Sequence, residues 1–178
     1  QRAAYFAHPV PTLAERKADL LKLKTSLREN KLGIIAAINA DYGNRSTHET
    51  LLTEIVPAIG VVAHAPGHVR KWMKPQRRHV DLKSYFGASN RVIPQPLGVV
   101  GCIVPWNFPV NLTFAPLVSI FSAGNRAMVK MSENSRHLCQ FLMKTIPAYF
   151  PQDKLAFFDE TDGVGIEFSK LKFDHILF

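Results

Sequence analysis

The residues that could do chemistry in this chain gather behind one apolar run. Gly98 to Val104 is short and nearly continuously apolar, and Pro105-Trp106-Asn107-Phe108-Pro109 follows it. The run suits a parallel strand covered on both faces. Pro105 ends the ladder because it has no N–H to donate. In open parallel sheets ligands sit beyond the carboxyl ends of strands, so Asn107 stands where a ligand is expected. Its side-chain NH2 could donate to such a ligand. A turn asparagine bonding its own backbone is the other reading, and a common one. Cys102 lies inside the strand and Cys139 inside a helix, and both read as buried, inert thiols. His64 and His68 are four apart, but Pro66 and Gly67 between them disfavour a helix, and no Cys or carboxylate nearby completes a site. No metal is expected.

Composition narrows the class. The chain has 178 residues, 47% hydrophobic and 20% charged, which is ordinary globular material. No run approaches the roughly 18 apolar residues of a membrane span. The N-terminus lacks the basic, apolar and small-residue regions of a signal peptide. Two cysteines make no disulfide framework, so the cytoplasm is the expected location. The net charge is +8, with the densest cluster at Arg70, Lys71, Lys74, Arg77 and Arg78 around Trp72. It reads as a solvated helix end and loop, where cations also favour the helix dipole, and no nucleic acid is expected as a partner.

The elements that position these residues follow from patterning. Thr12 and Glu15 make a capping box, and Leu13, Leu20, Leu23 and Leu27 continue an amphipathic helix to about Glu29. A second helix is predicted from Leu32 to Ala40. A third runs from about Thr47 towards Val62 or beyond, with Pro57 expected to kink it. Val80 to Phe86 and Arg91 to Gln95 read as the strands of a hairpin around Gly87–Asn90. It has few large apolar residues and is expected to be covered by a partner. From Gly98 the grammar changes. Helices at about Asn111–Ser122, Ser135–Tyr149 and Gly163–Lys170 alternate with strands at Ala127–Lys130, Leu155–Phe158 and His175–Phe178, which implies βαβ crossovers and a parallel sheet. No strand is followed by Gly-x-Gly-x-x-Gly, and there are no internal repeats.

Several motifs in order carry a family resemblance. Pro96-Leu97-Gly98-Val99-Val100-Gly101 leads into Val104-Pro105-Trp106-Asn107-Phe108-Pro109; Ala123-Gly124-Asn125, Val129-Lys130-Met131-Ser132-Glu133 and Phe173-Asp174-His175-Ile176-Leu177-Phe178 follow. Together with three helices and a hairpin, this resembles the aldehyde dehydrogenase superfamily over essentially the whole chain. The short N-terminal region is similar to the class 3 branch, which includes coniferyl aldehyde dehydrogenases.

The resemblance implies an α/β fold: residues 1–75 as helices of the cofactor domain, 76–96 as a β-hairpin oligomerisation arm, and 97–178 as a Rossmann-like NAD(P)-binding unit, incomplete at its C-terminal side. It implies oxidation of a small-molecule aldehyde to the acid with NAD or NADP, through a cysteine thiohemiacetal, in a homodimer joined by the hairpin. It places Asn107 in the oxyanion hole. Ile103, Val104, Pro105 and Trp106 would contact the cofactor. Lys130, Ser132 and Glu133 would bind at the adenosine ribose, and Phe108, Asn111 and Leu112 would line a substrate tunnel. Without the resemblance, Lys130 and Glu133 read as a surface ion pair near a helix start. Met131 replaces the family's usual proline, so a less rigid loop is expected. Phe158-Asp159-Glu160-Thr161-Asp162-Gly163 departs from the usual glycine-rich turn. The family's catalytic cysteine and glutamate base are expected beyond Phe178. A catalytically inactive cofactor-binding or assembly module is therefore the other function to be weighed.

Overall fold

The computed structural model describes residues 1–178. Helix α1 (Arg2–Ala7) is followed by α2 (Leu13–Glu29), which begins at the capping box: the Thr12 hydroxyl accepts from the Glu15 N–H, and the Glu15 carboxylate accepts from the Thr12 N–H. Helix α3 (Lys31–Tyr42) ends on Gly43. A single 26-residue helix comes next, built of α4 (Thr47–Thr50), a π turn (Leu51–Ile55) and α5 (Val56–Trp72). The disturbance expected at Pro57 takes the form of that π turn, which lies just before it. The expected break at Pro66 and Gly67 does not occur: the helix runs through both. An interior proline costs about 3 kcal/mol, but fully burying one Val side chain returns about 1.5–3 kcal/mol. Here Ala58, Val62, Ala65 and Val69 are all buried, with α5 packed on α2 and α6. By length and mean hydropathy this helix could cross a membrane. The sequence reading did not anticipate that, and the buried stripe accounts for the apolarity by packing.

The hairpin is shorter and differently registered than its sequence suggests. Strands β1 (Gln76–Arg78) and β2 (Asn90–Val92) pair antiparallel, with Arg77 opposite Arg91. None of residues 80–86 is strand, and 82–86 form turns and a bend. The cause is Asp81, whose carboxylate accepts from the Lys83 N–H at 3.0 Å and from the Ser84 hydroxyl at 2.6 Å. Such local side-chain bonds compete with strand pairing.

The second half matches its pattern closely. Strand β3 (Val99–Ile103), helix α6 (Asn111–Ser122), strand β4 (Arg126–Lys130), a 3₁₀ turn (Glu133–Ser135) with helix α7 (Arg136–Thr145), strand β5 (Leu155–Phe158), helix α8 (Val164–Lys170) and strand β6 (His175–Leu177) follow in turn. The four strands form one parallel sheet in the order β5-β4-β3-β6. The chain steps from β3 outward to β5 and then returns to the other side of β3. Strand order therefore reverses between β3 and β6, the switch point where open α/β sheets bind ligands. Ala127 and Val129 are fully buried on one face, whereas Met128 and Phe158 line a cavity with Val164 and Phe168 of α8. One contiguous core joins the N-terminal helices to the sheet.

Candidate functional site

Three loops leave the carboxyl ends of β3, β4 and β5, and the site is built from them. Ile103 pairs with Lys130, and Lys130 with Phe158, so the three strands end in one row. The Val104 N–H adds one more ladder bond, to the Lys130 carbonyl at 2.9 Å, before Pro105 stops the strand.

The turn that follows is held from outside. The Tyr42 hydroxyl lies 2.7 Å from the Trp106 carbonyl and 2.8 Å from that of Asn107, with its one proton to share between them. Partial burial pushes that hydroxyl above its usual pKa, against the pull of Arg45, so it stays protonated and donates. Arg45 is buried and lies 3.4 Å from the Asn107 carbonyl through Nη1. It also packs 4.7 Å from the Tyr42 ring centre and 5.5 Å from that of Phe108. The buried counter-charge of Arg45 is Glu54, in the π turn, with Oε1 2.7 Å from Nη1; the exposed Glu49 lies 3.3 Å from Nε. The other oxygen of Glu54 accepts from the Val110 N–H at 2.7 Å and the Asn111 N–H at 3.3 Å. Helix α6 has no capping side chain of its own at Val110; Glu54 caps it from another helix. Burial pushes the Glu54 carboxyl above its usual range, and the two N–H donors and Arg45 oppose that shift.

Asn107 itself is exposed, and its Oδ1 accepts from the Phe108 N–H at 3.1 Å. With Oδ1 so held, the Nδ2 protons are the free end of the amide. The backbone-bonded and ligand-facing readings of this asparagine are therefore compatible: the oxygen does the first and leaves the NH2 free for the second. Trp106, Phe108 and Leu112 are partly exposed around the same turn, and Asn111 is half-buried in the first turn of α6.

The β4 edge differs from expectation. Lys130 is buried, and its ammonium contacts Glu160, not Glu133. Glu160 also accepts from the Gly165 N–H at 3.0 Å. The Lys130 contact and that N–H hold the Glu160 carboxyl below its usual pKa. A Cβ on Gly165 would stand 2.6 Å from the Glu160 carboxylate and 3.2 Å from the Lys130 side chain, so a larger residue there would displace the ends of these two side chains. Ser132 is buried at the start of the 3₁₀ turn; its hydroxyl accepts from the Asn134 N–H at 3.2 Å and lies 3.2 Å from Glu133 Oε2. Glu133 is exposed. Met131 does not loosen the loop: it is fully buried, and its N–H donates to the Phe158 carbonyl at 2.9 Å, a bond proline could not make. The donor set suits a ribose diol. An exposed carboxylate at Glu133 can accept from hydroxyls, and the ammonium of Lys130 carries three donors.

The remaining candidates resolve simply. Burial pushes the Cys102 thiol up to about 11 and Cys139 up to about 12, so neither is an activated nucleophile. The His64 and His68 rings stack on α5 with centres 3.8 Å apart, and no group of three His, Cys, Asp or Glu is placed to hold a metal. An apolar cavity between α5 and the C-terminal end of α6 lies at the opposite end of that helix from Asn107. Sequence reasoning missed Tyr42, Arg45, Glu54 and Glu160. Glu54 did leave a trace, as a lone carboxylate within Leu51-Leu52-Thr53-Glu54-Ile55-Val56.

Comparison with known proteins gives the family. The chain is 45% identical over 178 residues to a probable coniferyl aldehyde dehydrogenase of Pseudomonas aeruginosa, covering all of this chain and 37% of that protein. It is 44% identical over 153 residues to the coniferyl aldehyde dehydrogenase of a Pseudomonas species, covering 85% of this chain and 31% of that one. It thus spans about a third of the length of these curated relatives. Among solved structures, a substrate-bound state of Staphylococcus aureus AldH matches with a TM-score of 0.89 at 24% identity, over 99% of this chain and 38% of that one. PnpE in complex with nicotinamide adenine dinucleotide matches with a TM-score of 0.76 at 24% identity, over 90% of this chain and 32% of that one. These two likenesses concern the fold. The aldehyde dehydrogenase family model matches residues 3–167, and with relatives above 40% identity the chain belongs to the aldehyde dehydrogenase family.

Proposed function

We propose that the protein containing this chain oxidises an aldehyde to a carboxylic acid with NAD(P)+, and that this chain supplies the oxyanion donor and the adenosine end of the cofactor site. The observation that carries the reading is the Asn107 amide. Its oxygen is tied to the Phe108 N–H, and its NH2 is left free beyond the end of β3. A donor oriented before reaction, aimed at a developing negative charge, needs no rearrangement when that charge appears. Lys130 and Glu133 would hold the adenosine ribose, with Ser132 fixing the turn between them. Ile103, Val104, Pro105 and Trp106 would form the wall beneath the cofactor, which when bound takes up hydride from the substrate. Phe108, Asn111 and Leu112 would face the aldehyde. The attacking thiolate and the base that activates water belong to other segments in this family; Cys102 and Cys139 are too deeply buried to serve.

Finer assignments rest on the relatives and on exposure. The relatives, named as coniferyl aldehyde dehydrogenases, favour aromatic aldehydes of the coniferyl type. The exposed hairpin supports a homodimer contact, and the two free thiols support the cytoplasm. The test is aldehyde-dependent formation of reduced nicotinamide by the full-length protein, with coniferyl aldehyde and an aliphatic aldehyde compared. Turnover of neither, with NAD or NADP, would overturn the reading. A second reading is carried by the absence of an activated thiol among these 178 residues: alone, the chain would be a cofactor-binding or assembly module. Binding of NAD(P) by the isolated chain without aldehyde turnover is its expected signature.

A further inference from the structure

We infer that Glu54 is a positioning residue for the reaction, acting with Arg45 and Tyr42 through the backbone of the Pro105–Pro109 turn to fix the Asn107 amide. The inference rests on the oxyanion reading of Asn107.

The geometry runs in one direction. Glu54 is fully buried, and each of its oxygens has a different task. Oε2 takes the Val110 and Asn111 N–H groups at 2.7 and 3.3 Å, which fixes the first turn of α6. Oε1 takes Arg45 Nη1 at 2.7 Å, and that same nitrogen lies 3.4 Å from the Asn107 carbonyl. The Arg45 guanidinium packs on Tyr42, whose hydroxyl meets the Trp106 and Asn107 carbonyls. The two ends of the Asn107 turn are thus attached to one buried carboxylate, directly at Val110 and through Arg45 at Asn107. The π turn sets this up: it swells the helix at Leu51–Ile55, where Glu54 sits. Such turns cost regular hydrogen bonding and recur at functional sites. Tyr42 holds the carbonyls on both sides of the Asn107 Cα, and Arg45 the second of them, so rotation of either peptide would swing the amide.

A purely structural role would predict loss of folding and nothing specific to Asn107. The two are separated by a mutant cycle in the full-length protein, read as kcat and KM for aldehyde and as NAD(P) dissociation constant. Glu54→Gln keeps an acceptor for α6 but removes the charge facing Arg45. It is expected to lower kcat about tenfold or more, since small misplacements of a catalytic group are that costly, with KM and cofactor affinity held within about twofold. In an Asn107→Ala background the same change should leave kcat unaltered, because groups that act through one another are not additive. Tyr42→Phe, which removes only a partly exposed hydroxyl, gives the same cycle with a smaller drop if Glu54→Gln does not fold. A drop of equal size in both backgrounds, or no drop from either variant in the parent background, would overturn the inference while leaving the oxyanion reading intact. An Asn107→Ala protein with unchanged kcat would overturn both.

Discussion

The turn after β3 and the β1–β2 hairpin are the two least regular parts of this chain, and they are built on opposite principles. The turn is pinned by groups from distant elements: Tyr42, Arg45 and Glu54 all reach it, across 56 to 65 residues of sequence. The hairpin has three exposed residues in each strand, and two arginines stand opposite one another. Like charges in that position are destabilising. The first region is shaped by its own fold to hold one side chain. The second draws little on its own fold, and its exposure supports the contact with a second copy proposed above. Site chemistry and assembly are therefore assigned to different halves of the comparison, and each assignment can be broken separately.

The largest expected effect is at Asn107. In the full-length protein, Asn107→Ala should lower kcat about 10²–10³-fold, the usual cost of one oxyanion donor. Cofactor affinity, which the proposed function places at Lys130 and Glu133, should barely change. Steady-state kinetics with a binding titration checks this, and an unchanged kcat would remove Asn107 from the chemistry.

Next is the stability of the turn's anchor. Glu54→Ala removes the buried counter-charge of Arg45 and leaves it only the exposed Glu49, 3.3 Å from Nε; removing one partner of a buried pair costs about 3–5 kcal/mol. It also strips the cap from α6. Denaturant unfolding should show a loss of that size. A loss below about 1 kcal/mol would mean that the pair is not the turn's anchor. Replacing both Arg45 and Glu54 by apolar residues of similar volume should recover part of the stability but not kcat.

The contrast also explains what could be read in advance. Strands β3 and β5 and helix α6 were legible nearly to the residue, because apolar runs and Gly or Pro stops are local signals. So was the capping box at Thr12. The motif residues Asn107, Lys130 and Glu133 are marked only by family resemblance, and their roles are proposals. Their supports were not legible. Glu54 meets Val110 across 56 residues, and nothing in the local pattern of either names the other. Lys130 has Glu133 near it in sequence but Glu160 near it in space, because β5 lies beside β4. The hairpin register failed for a local reason: Asp81 turns the chain where β-propensity alone would extend it.

At the cofactor edge, Glu133→Gln should shift the NADP/NAD ratio of kcat/KM towards NADP, since a carboxylate at the ribose repels a 2′-phosphate. Glu160→Gln should do so as well, by leaving the Lys130 ammonium unneutralised. Dissociation constants for the two cofactors measured without aldehyde check both. An unaltered ratio in Glu133→Gln would place that carboxylate away from the ribose.

A smaller effect tests the helix that packs against α6 from the far side of the core. The Thr12 hydroxyl and N–H, and then His8, lower the Glu15 carboxyl to about 2 from an ordinary 4.5. A depressed carboxylate stabilises the fold above its unfolded pKa and loses that contribution as pH falls through its folded value. The stability gap between the parent and Glu15→Gln should therefore be full above pH 4.5 and close as pH approaches about 2. Melting temperatures across that window report it, and a gap that widens on acidification would contradict the capping geometry.

The smallest effect is expected where the hairpin is most charged. Arg91→Thr removes one of two facing cations from an exposed strand pair, and surface changes of this kind stay within about 0.5 kcal/mol. Relief of the Arg77–Arg91 repulsion and the better strand propensity of Thr both push towards a slight gain. If the hairpin is held by a second copy, the change will appear in the concentration dependence of assembly, followed by sedimentation, and not in the unfolding of the monomer. A monomer loss comparable to that of Glu54→Ala would erase the contrast, because the hairpin would then be as tightly fixed by its own chain as the turn that carries Asn107.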